Sequence, residues 1–66
     1  MDTFTQLRDT SVLIELTIER INELNLKIKN AQPDTDVPAL AAQMELLEAE
    51  LYRLDQKYIN LTGLFD

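Results

Sequence analysis

Val37-Pro38-Ala39-Leu40-Ala41-Ala42-Gln43-Met44-Glu45-Leu46-Leu47-Glu48-Ala49-Glu50-Leu51-Tyr52-Arg53-Leu54-Asp55-Gln56-Lys57-Tyr58-Ile59-Asn60-Leu61-Thr62-Gly63-Leu64-Phe65 decides the fold. Apolar side chains fall at Val37, Leu40, Met44, Leu47, Leu51, Leu54, Tyr58, Leu61 and Phe65, in alternating steps of four and three. That spacing keeps them on one stripe of an α-helix, where a strand would scatter them over both faces. Pro38 is tolerated in the first turn, where its missing N–H would have had no helical partner, and Asp36 is placed to cap that turn. Gly63 fits the left-handed position just past a helix, with Leu64 packing back on Ile59. The expected second helix covers about 37–62.

Working outward, the segment from Asn30 to Asp36 contains the one break. Pro33 cannot continue a preceding helix and biases Gln32 toward an extended conformation. Before it, Phe4, Leu7, Ser11, Ile14, Ile18, Ile21, Asn25 and Ile28 repeat the same steps and predict a first helix over about 4–30, with Thr3 as cap and Gln6 reaching back to it. Glu23 and Lys27 form a favourable pair one turn apart. A loop at about 31–36 requires the helices to return antiparallel. Heptad positions then place Phe4, Ser11, Ile18 and Asn25 in one row of the first seam and Leu7, Ile14, Ile21 and Ile28 in the other. The expected fold is all-α: a single domain spanning 1–66, built as a coiled-coil-like antiparallel two-helix hairpin.

A hairpin needs one seam per helix, yet Val12, Leu13, Leu16, Leu24 and Leu26 on the first helix and Leu46, Ile59 and Tyr52 on the second lie off it. Burying a large aliphatic side chain is worth about 1.5–3 kcal/mol, so leaving five or more in water forfeits a sum comparable to the stability of a small domain. A chain of 66 residues has little core to spare, and with no Cys and no His it gains nothing from disulfides or the common zinc sites. The economical solution is pairing into a homodimeric four-helix bundle, helped by Ala42 and Ala49, whose small side chains let another helix approach. The alternative is a different protein's helix or groove on the same residues. Val12, Leu13, Leu16, Leu24, Leu26, Leu46 and Tyr52 are therefore the expected protein interface. Asn25, a polar residue in the seam, is expected to specify register.

Catalytic chemistry has no foothold here. Without Cys or His the available nucleophiles are one Ser and several Thr, with no base to activate them, and the carboxylates occupy the solvated face a helical rod requires. No enzyme activity is expected. A metal site would need a Glu-x-x-His pattern or a glycine-containing acidic loop, and Asp34-Thr35-Asp36 reads more simply as a capping turn. With Gly63 as the sole glycine, no phosphate-cradling loop can form. No cofactor and no small-molecule substrate are expected.

The formal net charge is −6, with 12 Asp and Glu against 6 Lys and Arg. Arg8, Arg20, Lys27, Lys29, Arg53 and Lys57 are dispersed, so direct nucleic-acid binding is not expected. No apolar run approaches the roughly 20 residues of a membrane span, and no basic-then-apolar start follows Met1, so a cytoplasmic protein without membrane contact is expected. In size and helix pattern the chain resembles the short helical hairpins that serve as co-chaperones of type III secretion needle subunits. It is similar in the same way to a group of small phosphatase regulators, although their Ser-Gln-Glu-Leu-Asp signature does not occur here and the fragment Leu54-Asp55-Gln56 is too short to replace it. No functional residue is carried over from either group. The expected function is that of a non-enzymatic interaction module, an adaptor, chaperone or inhibitor acting through an apolar helix face. The alternatives are a purely structural self-assembly module and an acidic mimic of nucleic acid.

Overall fold

The computed structural model describes residues 2–65, with the side chain of residue 65 left aside. Helix α1 runs from Thr3 to Lys29 and helix α2 from Val37 to Thr62, followed by a single 3-10 turn over Gly63–Phe65. The two helices pack antiparallel: along one side of the pair Thr17 lines a hollow with Leu47 and Glu50, and Leu24, further along α1, lines the next with Leu47 and Gln43. The result is a rod of 51 × 17 × 15 Å. No helix among the described residues is long and apolar enough to cross a membrane.

Each helix starts where a short acidic side chain can satisfy the free amides of the first turn. At α1 that residue is Asp2, whose Oδ1 accepts from the Thr5 N–H at 2.7 Å, and the helix begins at Thr3; the cap expected at Thr3 is one residue too late. At α2 the Asp36 carboxylate accepts from the Ala39 N–H at 3.1 Å, with Pro38 in the first turn as expected. Between the helices, the Gln32 N–H donates to Thr35 Oγ1 at 2.9 Å while the Thr35 N–H donates back to the Gln32 carbonyl at 2.9 Å. These reciprocal bonds close a turn around Pro33 and Asp34 and aim the chain into Asp36.

The far end departs from expectation. Gly63 has φ −60° and ψ −21°, so it continues the right-handed path into the 3-10 turn and does not reverse it. Leu64 is 69% and Ile59 57% exposed, so the expected packing of one on the other does not cover them. Nor does Glu23 pair with Lys27; the ion pairs among the described residues are Arg8–Asp9 and Glu50–Arg53.

The seam of α2 follows its heptads: Leu54 is buried, and Val37, Leu40, Met44, Leu47, Leu51 and Leu61 are half-buried, while Tyr58 lies at the margin, 37% exposed. On α1 only one of the two expected rows enters the seam. Leu7, Ile14, Ile21 and Ile28 are half-buried as predicted, but the second row is Thr3, Thr10, Thr17 and Leu24, one residue before Phe4, Ser11, Ile18 and Asn25. Thr10 is the most enclosed residue described, 2% exposed, and Leu24 is 7% exposed, whereas Phe4, Ile18 and Asn25 face outward. Size explains the choice. Leu47, Leu51 and Leu54 are bulky, and short threonines opposite them let the helix axes approach so that large side chains interdigitate with small ones.

Burying threonine leaves a hydroxyl to satisfy, and the helix does this internally. Thr17 Oγ1 donates to the Leu13 carbonyl one turn back at 2.7 Å. Among the described residues no buried side-chain polar atom lacks a partner. The shift of row also removes Leu24 from the surplus apolar set and takes Asn25 out of the seam, which leaves Asn25 no facing layer whose register it could fix.

Two expectations follow. Leu24→Ala should cost about 2–5 kcal/mol by leaving a cavity, and Asn25→Ala no more than about 0.5 kcal/mol; equal effects in urea unfolding would restore Asn25 to the seam. The Thr5 amide and hydroxyl hold the Asp2 carboxyl below its usual value of 3.8. Its contribution to the first turn is therefore present above that value and lost as pH falls through the lower folded value. Protection of the Thr5 amide, its exchange rate relative to the intrinsic rate at each pH, should fall in that acid window in the parent chain and stay constant in Asp2→Asn, which caps without titrating.

Candidate protein-interaction surface

The heptad rows that flank the seam form two long sides of the rod. On one side, Leu13 and Leu16 line a shallow groove with Thr17, Arg20, Leu47 and Glu50, and the groove continues past Glu23 and Leu24 to Gln43. Leu46 belongs to the α2 row that borders this groove, one helical turn from Gln43 and Glu50. Leu13 is 48%, Leu16 50% and Leu46 72% exposed, so three leucines stand open within a few turns of one another. Arg20 borders them on α1, and Arg53, joined to Glu50, borders them on α2.

The opposite side carries Phe4, Ile18 and Glu15 from α1, and Tyr52, Ile59, Glu48 and Asp55 from α2, by the same row geometry. Here carboxylates alternate with isolated apolar groups. Val12 points away from the seam, between the two sides, and Leu26 sits near the loop, where it lines one hollow with Lys27, Asn30, Thr35, Asp36, Ala39 and Leu40 and another with Asn22, Asn25, Ile28 and Lys29. Of the seven residues expected at an interface, the structure thus gathers Leu13, Leu16 and Leu46 on one side. It leaves Val12, Leu26 and Tyr52 exposed elsewhere and puts Leu24 inside the hairpin.

A feature not extracted from the spacing of apolar residues becomes plain once the sides are drawn. Leu13-Ile14-Glu15, Ile18, Arg20-Ile21-Asn22 on α1 match Leu46-Leu47-Glu48, Leu51, Arg53-Leu54-Asp55 on α2, each position 33 residues after its counterpart. Because the helices run antiparallel, the matched residues are related by an approximate two-fold axis through the middle of the rod. Leu13 and Leu46 then fall on one side together with Arg20 and Arg53, and Glu15 and Glu48 on the other. A self-comparison of the sequence would have found this repeat.

Among the described residues no three acidic side chains gather to hold a metal ion. Glu45, Glu48 and Asp55 of α2 are exposed along the rod, and Glu50 is half-buried. No protein-family model matches the chain, and no curated protein or solved structure matches it.

Proposed function

We propose that this protein is a non-enzymatic interaction module, an adaptor, chaperone or inhibitor in kind, that acts by laying an apolar helix face against another helix. The observation that carries the reading is the imbalance between what the hairpin buries and what it leaves out. Among the described residues only Leu24 and Leu54 are buried hydrophobics, whereas eleven large hydrophobic residues are at least 37% exposed. A 7.6 kDa globular monomer would expose about 4,300 Å² by the scaling of surface with mass. The hairpin exposes 5137 Å². The excess of roughly 800 Å² is the share one partner contributes to an interface of standard size.

Leu13, Leu16 and Leu46 are the centre of that surface, with Arg20, Glu50 and Arg53 as its rim. A purely structural module, whose only role is to assemble, rests on the same exposed leucines and differs in what their loss does to the fold. Mimicry of nucleic acid would need ranked carboxylates, and the arginines and lysines set among them on the leucine side speak for the apolar reading.

Replacing Leu13 and Leu16 together by Glu separates these cases. As an interaction module, the variant keeps its helical circular dichroism, because both side chains lie outside the seam, and loses the cross-linked adducts that the parent chain forms in a cell lysate. Loss of helicity along with the adducts would assign the surface to structural assembly. Adducts that persist would place the contact elsewhere and overturn the proposal.

A further inference from the structure

We infer that the occupant of the leucine side is a second copy of this chain, docked with the two-fold axis along the rod so that α1 of each copy runs antiparallel to α2 of the other. The inference rests on the reading of that side as a protein contact and names what covers it. Two independent observations carry it: the area left exposed, and the order of charges along the side.

The area argument sets the scale. The roughly 800 Å² by which the hairpin exceeds a compact monomer equals one partner's share of a standard interface. An isologous dimer uses the same patch on both copies, so no other surface is required. The leucines are also placed for it. With levels preserved, Leu13 and Leu16 of one copy lie against the stems of Arg53 and Glu50 and beside Leu46 of the other, and the two-fold repeats the contact. Six leucines then share one dry centre, and the arginine stems cover its edges while their guanidinium groups stay in water.

The charge argument fixes the orientation. Thr17 shares a hollow with Leu47 and Glu50, and Leu24 shares one with Gln43 and Leu47, so in an antiparallel pair Asp9 on α1 lies within about one residue of the level of Lys57 on α2, a rise of about 1.5 Å. The axis along the rod brings Asp9 of each copy opposite Lys57 of the other and sets Arg20 within one helical turn of the opposite Glu50, while Glu23 meets the neutral Gln43. The alternative two-fold, across the rod and centred on the same leucines, would set Glu50 against Glu50 and Asp9 against Glu23. Like charges face each other in that arrangement and opposite charges in the first. Within a single hairpin Asp9 pairs with Arg8, and Lys57 makes no ion pair among the described residues, so the complementarity serves no contact inside the chain.

Light scattering over a hundredfold dilution tests this with the full chain. The parent protein should have twice its 7.6 kDa mass and dissociate on dilution. Asp9→Lys and Lys57→Asp should each weaken association by about tenfold, since the altered contact occurs twice across the interface. The double variant should return to near the parent affinity, with helical circular dichroism unchanged throughout. A 7.6 kDa mass at every concentration, or a double variant no tighter than the single ones, overturns the inference. A helical monomer whose lysate adducts still depend on Leu13 and Leu16 would remove the second copy and leave the proposed function standing; adducts indifferent to those leucines would remove both.

Discussion

The burial of Thr10 and Thr17 in a seam that also holds Leu47, Leu51 and Leu54 is the constraint from which the rest of the molecule follows. Two helices alone have no interior. Each can hide only the strip that faces the other, and how deeply it hides that strip depends on how near the axes come. Thr10 and Thr17 permit a close approach because their hydroxyls are small and, at Thr17, bonded to the preceding turn. A longer side chain in the same row, such as the neighbouring Ile18, would keep the helices further apart and dilute every dispersion contact along the seam. The threonine row therefore trades apolar area for proximity. It pushes Ile18 and Phe4, which would otherwise have been core, onto the outer side.

That trade sharpens the shortage of buried surface. Small folds bury a low fraction of what their unfolded chain exposes, and here the seam fully encloses just two hydrophobic side chains among the described residues. Capped helix starts at Asp2 and Asp36 and the reciprocal Gln32–Thr35 turn specify the path of the chain well. Such local devices are worth on the order of 1 kcal/mol each and set direction more than they add stability. Apolar surface outside the seam is thus where the chain has its largest unused source of stabilisation.

The sequence discloses the helices, the loop and the whole α2 seam because in α2 the leucines occupy little else than the two seam rows, so periodicity gives both spacing and phase. In α1 it gives spacing alone. Val12, Leu13, Ile14, Leu16 and Ile18 spread apolar groups over five rows, and hydrophobicity cannot decide whether Thr17 or Ile18 joins Ile14 in the seam. Packing against the partner helix decides it, and that depends on the size of residues far away in the chain. Misplacing one row carried Leu24 into the surplus set and Asn25 into the core. The other departures have local causes: Asp2 competes with Thr3 for the same cap, and Gly63, permissive of both hands, takes the right-handed one. The candidate surface was legible as a set of surplus leucines, but which of them form one patch is a matter of rows, and so of the same phase.

Charge distribution then qualifies what a net charge of −6 implies. Considered as a whole, two such chains repel, and acidic excess favours solubility over association. The repulsion is a sum over the molecule, screened beyond about 8 Å at physiological salt, whereas an interface responds to the charges within that distance. On the leucine side Arg20, Lys27, Arg53 and Lys57 offset the neighbouring carboxylates, while Glu15, Glu45, Glu48 and Asp55 concentrate the excess elsewhere around the rod. In the proposed pairing the acidic remainder faces outward from the contact. It opposes association on the flank of Ile18, Tyr52 and Ile59, which favours the one side on which leucines and balanced charge coincide.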